Sequence, residues 1–246
     1  MFSTHLIAAP PAQRVDWVDY AKGICIILVV MMHAVNGVEY LFDEQGWMHP
    51  IIDFARPFRI PDFFLVAGLF LSRSIHAPLA DYLDRKVVHF IYFYVLWLTL
   101  QLPVLEFGAL VSHPGYVLKL WFYSFVEPSN SLWFVHMLAI FYVVTRLLRN
   151  VPVWIVFAGA FILQSLYQLV LIDTGWGVID RFANRYVYFF MGYAFAPQIF
   201  RFAGRAAKAP WIGALGLLAW GILNWWAVSL ALHEEVVASF ILGIAG

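Results

Sequence analysis

Two ionisable residues in the first apolar run are the strongest candidates for chemistry. Lys22 and His33 have ten residues between them, inside a run that extends over 21–38. Eleven helical steps of about 100° return to within about 20° of the starting direction after a rise of about 16 Å, so both residues lie on one helix face. An imidazole can take and return a proton near neutral pH, as acyl transfer to a hydroxyl requires. The alternative is a histidine that only hydrogen-bonds a neighbouring helix.

Charged residues also precede the second apolar run. Arg56 comes just before this run, and Arg59 and Asp62 lie in its first residues. The two arginines can bind an anionic or hydroxyl-rich group, or they can pair with nearby carboxylates and lipid headgroups. Gly68, later in the same run, is expected to allow close contact between helices.

A third group of cations follows the second apolar run. Arg73, Arg85 and Lys86 lie in one connecting segment. Such side chains suit the phosphates of a cytoplasmic co-substrate. The positive-inside rule predicts cations there in any case, so a purely topological role stays open.

Trp133 and His136 open a later apolar run. His136 lies one turn inside it, where it acts either as a second proton relay or as a structural histidine. The histidines show no His-x-x-x-His spacing, so we expect no metal site. A Gly-rich phosphate loop and a nucleophile elbow are also absent from the sequence.

The composition indicates which elements must position these residues. The chain has 246 residues, of which 63% are hydrophobic and only 12% charged, and its mean hydropathy is +0.79. Such values are typical of an all-α protein that crosses the membrane several times. Fifteen basic and fifteen acidic residues cancel, so nucleic-acid binding is not expected. The single cysteine, Cys25, is predicted to be a packing residue.

Hydropathy predicts seven membrane spans and part of an eighth. The predicted spans are 21–38, 58–71, 87–107, 132–145, 151–172, 186–200 and 210–232. An eighth run begins at Val236 and has eleven residues, too few to cross about 30 Å of hydrocarbon. We therefore expect a cytoplasmic N-terminal segment, 1–20, and one transmembrane domain, 21–246, that is incomplete at its C-terminus.

The basic residues predict the orientation of the spans. With the N-terminus in the cytoplasm, ten Lys and Arg residues fall inside and five outside. This distribution fits the positive-inside rule. Lys22 then lies at the inner edge of the membrane and His33 nearer its outer half. A multi-pass protein of the inner cell membrane is expected.

Four segments resemble the membrane-bound acyltransferase 3 family. Residues 16–33 are similar to its first helix, with a basic residue, ten intervening residues and a histidine. Residues 59–68 are similar to its Met-Pro-Leu-Phe-Phe-x-x-Ser-Gly pattern, 132–134 to its Leu-Trp-Phe-Leu segment and 189–193 to Phe-Phe-x-x-Gly-Tyr. Two positions depart from the family: Lys22 replaces a common arginine, and Ala67 replaces a serine.

The resemblance implies an O-acyltransferase. By this resemblance the donor is cytoplasmic acyl-CoA, expected to be acetyl-CoA, and the acceptor is a hydroxyl of an extracytoplasmic carbohydrate or glycolipid. The resemblance implies that His33 is catalytic. The residues that would bind the donor at the inner face are Lys22, Arg73, Arg85 and Lys86. Those that would bind the acceptor at the outer face are Arg56, Arg59, Asp62, Trp133 and His136.

Two other classes of membrane protein stay open from the residues. A secondary transporter would have paired helices interrupted by Gly or Pro in its two halves, and no counterpart of Pro61 and Gly68 is evident in the second half. A structural or sensory membrane protein would bind no acyl-CoA.

Overall fold

The structure, a computed structural model, describes residues 15–128, 130–231 and 235–245. Within these ranges the regular elements are all helices. The α-helices are α1 (Asp16–Phe42), α2 (His49–Ala55), α3 (Arg59–Gly68), α4 (Leu79–Leu83), α5 (His89–Leu105), α6 (Phe107–Ser112), α7 (Pro114–Tyr123), α8 (Trp133–Leu147), α9 (Val153–Gln168), α10 (Gly177–Ala194), α11 (Ala196–Lys208), α12 (Pro210–Ser229) and α13 (Val236–Ala245). Most of the predicted cytoplasmic segment 1–20 lies outside the described residues.

Several helices have the length and composition of membrane spans. Among the described residues, Asp16–Phe42, Leu79–Leu105 and Pro210–Ser229 are long and apolar enough to cross a bilayer. Val153–Gln168 and Val236–Ala245 are shorter apolar helices. A π-helical turn, Asp84–Val88, joins α4 and α5 into the second long helix. The all-helical, membrane-type fold is thus confirmed, whereas the number of spans and their orientation stay predictions.

Two predicted spans differ from the helices that form. The predicted span 58–71 contains α3, whose ten residues cover only about 15 Å, followed by the 3₁₀ turn Leu71–Arg73. The predicted span 186–200 was wrong in its limits, because α10 begins at Gly177 and ends at Ala194. Its first turns carry Asp180, Arg181 and Arg185, which lowered the hydropathy there and hid the start of the helix.

The core lies where α3, α8 and α10 meet, and it is mainly aromatic. The Phe64 ring lies 5.0 Å from that of Phe141, which lies 5.5 Å from that of Phe189. Phe64, Phe141 and Phe189 have no measurable exposure. The first pair is edge-to-face and the second tilted, and such ring contacts pack densely and fix the relative positions of the three helices.

Two glycines allow α3 and α10 to approach closely. A Cβ atom at Gly68 would overlap the carbonyl oxygen of Phe189 and lie 2.9 Å from the amide nitrogen of Tyr193. A Cβ at Gly192 would lie 2.8 Å from the carbonyl carbon of Leu65. The expectation that Gly68 permits close helix contact is confirmed, and Gly192 supplies the matching small residue.

Helix α1 lies at the edge of this bundle. Its buried residues are Val18 and Cys25, in its first half, and Cys25 is 5% exposed, as a packing residue should be. Among the described residues α1 packs chiefly against α3 and α2. Its second half therefore leaves open space toward α5 and α8.

Candidate functional site

His33 borders an apolar cavity between α1, α3 and α8. The cavity has a volume of about 520 Å³. Its walls are Ile26, Val29, Val30 and Ala34 from α1, Ile60 and Phe63 from α3, and Ser131 and Phe134 at the start of α8. His33 and Ser131 are its polar members. Within the described residues the imidazole has no hydrogen-bond partner, so both ring nitrogens can meet a substrate.

A second cavity, of about 510 Å³, begins on the other side of His33. His33 and Ser131 line it together with Trp97, Gln101 and other residues of α5. Trp97 and Gln101 lie one helical turn apart and also line an adjoining cavity of about 390 Å³. The imidazole thus borders both cavities: Ser131 offers a hydroxyl to each, and Gln101 and Trp97 add an amide and an indole ring to the second.

The cations predicted at the inner face come together around an aromatic ring. The Nζ atom of Lys22 lies 5.7 Å from the centroid of the Phe70 ring, and the guanidinium of Arg73 lies 5.2 Å from the same ring. Arg73 also lies 5.9 Å from the ring of Phe200. Phe70 and Phe200 are 5.7 Å apart. Cations held over aromatic rings keep their charge available to an anion on their free side.

Lys86 extends this cluster, whereas Arg85 does not. Lys86 lies 5.3 Å from the Tyr142 ring and is close enough to Lys22 for the two charges to repel. Arg85, the adjacent residue in the π-helical turn, is exposed and contacts none of these rings in the described structure. Neighbouring helical residues point about 100° apart, which explains the divergence. Lys22, Arg73 and Lys86 therefore form the inner cation cluster.

Arg146 fixes the segment that follows Arg73. Its guanidinium donates hydrogen bonds to the carbonyl oxygens of Ile75 and Ala77, the second over 2.7 Å. It lies 4.7 Å from the Tyr82 ring, whose hydroxyl donates over 2.7 Å to the carbonyl oxygen of Tyr142. The loop that carries Arg73 is therefore held by charge-assisted bonds rather than by helix geometry.

The arginines predicted at the outer face occupy different surroundings. Arg56 is exposed and donates over 2.6 Å to the carboxylate of Asp53. Arg59 is 8% exposed and donates to the carbonyl oxygen of Ile52 over 3.1 Å and to the sulfur of Met32 over 2.7 Å. Arg59 thus contacts α1 at the residue before His33, although neither Arg56 nor Arg59 lines the two cavities beside His33.

Asp62, Trp133 and His136 line neither of the two cavities beside His33. His136 has its Nε2 atom 3.2 Å from the carbonyl oxygen of Phe125, a contact that ties α8 to the segment after α7. Trp133 lies 5.5 Å from the guanidinium of Arg181. For His136 this geometry favours the structural alternative. Asp62 forms no ion pair with Arg56 or Arg59 among the described residues.

Sequence reasoning missed a charged network beyond the end of α1. Nδ1 of His49 lies 2.8 Å from a carboxylate oxygen of Glu39, and its Nε2 lies 3.4 Å from one of Asp53. Glu39 also accepts a hydrogen bond of 2.8 Å from the amide nitrogen of Gly46. The i, i+4 spacing of His49 and Asp53 was a signal that could have found part of it. The network links the far end of α1 to α2.

Fold and site together define an integral membrane protein with an available histidine on a helix at the edge of its helical bundle. Residues 15–245 match the family model described as an acyltransferase domain. The chain therefore belongs to the membrane-bound acyltransferase 3 family.

Two curated proteins are similar to this chain. The inner membrane protein YcfT of Escherichia coli (strain K12) is 24% identical over 217 residues, which cover 76% of this chain and 58% of YcfT. The nodulation protein NolL of Sinorhizobium fredii (strain NBRC 101917 / NGR234) is 24% identical over 185 residues, covering 74% of this chain and 48% of NolL. The matched region is thus about half the length of these relatives. No solved structure matches the chain.

Proposed function

We propose that this protein is an integral-membrane O-acyltransferase. It would move an acyl group, expected to be acetyl, from cytoplasmic acyl-CoA to a hydroxyl of an extracytoplasmic carbohydrate or glycolipid. Membership of the acyltransferase family supports the class of reaction. The single observation that carries the proposal is an imidazole without a protein partner, among the described residues, at the border of two cavities.

His33 would act as general base. It takes the proton from the acceptor hydroxyl, whose oxygen attacks the thioester carbonyl carbon. The new C–O bond forms as the C–S bond breaks, and the imidazolium then gives the proton to the departing thiolate of coenzyme A. Ser131 and Gln101 lie beside His33 and would hydrogen-bond the acceptor.

The inner cation cluster would bind the phosphates of the donor. Lys22 lies about 16 Å from His33 along α1, a separation that an extended pantetheine arm can bridge. Arg73 and Lys86 would add further phosphate contacts, and Arg85, which is exposed, would contribute at longer range. The donor would thus enter from one end of the bundle and reach His33 from that side. We also propose that the protein lies in the inner membrane and crosses it several times.

Replacement of His33 tests the proposal directly. His33→Ala and His33→Gln should each lower acyl transfer at least a hundredfold, in line with the usual contribution of a general base. The measurement is mass spectrometry of surface glycans from cells that express each variant, which follows the mass added by the acyl group. His113→Ala, which changes an exposed histidine remote from both cavities, is the matched control.

Membrane insertion and melting temperature should be the same in all these proteins. If His33→Ala is inserted and folded yet transfers the acyl group at the wild-type rate, the assignment of His33 as the base is wrong. If neither the wild type nor any variant alters a glycan or binds acyl-CoA, the proposed activity itself is wrong.

A further inference from the structure

Arg59 is a buried cation without a matching anion. Its Nη atoms donate to the carbonyl oxygen of Ile52 and the sulfur of Met32, and its Nε atom has no partner. Neither acceptor carries a charge. Arg59 is 8% exposed, and no ion pair among the residues that the structure describes includes it. A buried guanidinium usually has an anionic partner, because removal of its hydration is costly.

A second arginine lies beside it. Arg185 is seven residues, or two turns, before Gly192 on α10, so it lies on the face that contacts α3. Arg59 is six residues before Leu65, the residue that Gly192 contacts. The positive charge of Arg185 acts on Arg59, so the two arginines belong to the same region of the α3–α10 contact. Arg185 also takes part in no ion pair within the described residues, and its side chain is partly exposed.

The nearest acids do not neutralise this pair. Asp53 interacts with Arg59 at longer range, but its carboxylate is bonded to Arg56 over 2.6 Å and contacts His49 over 3.4 Å. Asp62 lies on the same helix as Arg59, yet it forms no ion pair with either arginine among the described residues. Within the described part of the chain, neither Arg59 nor Arg185 thus has an anionic partner.

We propose that Arg59 and Arg185 bind an oxyanion, a phosphate or carboxylate group, carried by the acceptor. Planar guanidinium groups hold such oxyanions through paired hydrogen bonds, and the free Nε of Arg59 is a donor still to be used. Arg59 contacts Met32, the residue before His33, so an acceptor anchored there would lie against the helix that carries the imidazole. The link to the acceptor rests on the proposed function, whereas anion binding by the two arginines does not.

Calorimetric titration of the purified full-length protein in a neutral detergent tests the site. The ligands are sodium phosphate and sodium glucuronate, compared with glucose and with sodium chloride at equal ionic strength. We expect saturable binding of an oxyanion and none of glucose. Arg59→Met and Arg185→Met should each raise the dissociation constant at least tenfold. Arg149→Met, which changes an exposed arginine elsewhere, should leave it unchanged.

The melting temperature without added anion provides a second readout. Arg59→Met should melt at a higher temperature than the wild type, because it removes an uncompensated buried charge and keeps a side chain of similar length. A purely structural arginine would give the opposite sign. Oxyanion affinity that is absent in the wild type, or equal in the wild type and both variants, would overturn the proposal.

Two further measurements identify the source of the anion. Phosphate binding that persists in phosphatidylcholine nanodiscs but disappears in phosphatidylglycerol nanodiscs would assign the site to an anionic lipid headgroup and overturn the acceptor assignment. Binding that persists in both supports an acceptor group. His33→Ala should bind the oxyanion like the wild type, so a failure of the proposed catalysis is distinguishable from a failure of this site.

Discussion

Gly192→Ala should weaken the contact between α3 and α10 on which the core depends. The added Cβ would overlap the carbonyl oxygen of Leu65 and lie 2.8 Å from its carbonyl carbon and 3.1 Å from its Cα. Carbon atoms in contact normally lie about 3.5–4.0 Å apart. The obstructing atoms belong to the backbone, so no change of rotamer relieves the overlap and the helices must move apart.

The cost follows from this geometry. Overpacking a well-filled core usually costs about 1–3 kcal/mol. The clash with the Leu65 backbone belongs at the upper end of this range, because backbone atoms cannot move aside as a side chain can. For a chain of this size, about 3 kcal/mol corresponds to a fall in melting temperature of roughly 6–12 °C. The displacement would also widen the cavity beside His33, because Ile60 and Phe63 in its wall belong to α3.

Thermal unfolding in detergent, followed by loss of the monodisperse peak in size-exclusion chromatography, measures the effect. Gly159→Ala is the matched control, since nothing lies within 4 Å of a Cβ at Gly159 in the interior of α9. It should stabilise the protein by up to about 1 kcal/mol through the higher helix propensity of alanine. If Gly192→Ala melts at or above the wild-type temperature, the inferred close approach of α3 and α10 is refuted.

Two more substitutions test contacts of the site. Arg146→Gln should lower the free energy of unfolding by about 2 kcal/mol, because the charge-assisted bonds to the loop are lost. Proteolysis within residues 74–78 should become faster. Unchanged proteolysis would contradict this role of Arg146. His136→Leu should cost about 1–2 kcal/mol by leaving the carbonyl oxygen of Phe125 unpaired, while acyl transfer per folded molecule stays constant. Loss of transfer from folded His136→Leu would indicate a relay instead.

Helical periodicity could predict those parts of the site that lie on one element. Lys22 and His33 share a face of α1 because of their spacing alone, and Gly68 was interpretable as a contact residue from its place in an apolar run. The partners that complete the site belong to other helices. Ser131 and Gln101 flank His33 only because α5 and α8 fold back toward α1, and local sequence carries no signal for that.

Charge patterning had a similar limit. The sequence assigns Arg73, Arg85 and Lys86 together to one connecting segment. In the structure only Arg73 and Lys86 lie near Lys22. The π-helical turn decides which of two adjacent cations faces the cluster. Arg56 and Arg59 likewise look equivalent in the sequence. In the structure Arg56 is exposed and paired with Asp53, whereas Arg59 is buried and its charge has no anionic partner among the described residues.

The position of His33 depends on few contacts, and this links the separate parts of the site. The first half of α1 is held by burial of Val18 and Cys25, but its second half has no fully buried residue. Polar contacts on either side of His33 hold this half of the helix. Met32 contacts Arg59 before His33, and Glu39 contacts His49 after it. The proposed role of His33 as the base requires that it be held closely in place, so under that proposal these contacts belong to the site. An acceptor whose oxyanion binds at Arg59 would therefore be positioned by the same arginine that contacts the helix carrying the proposed base.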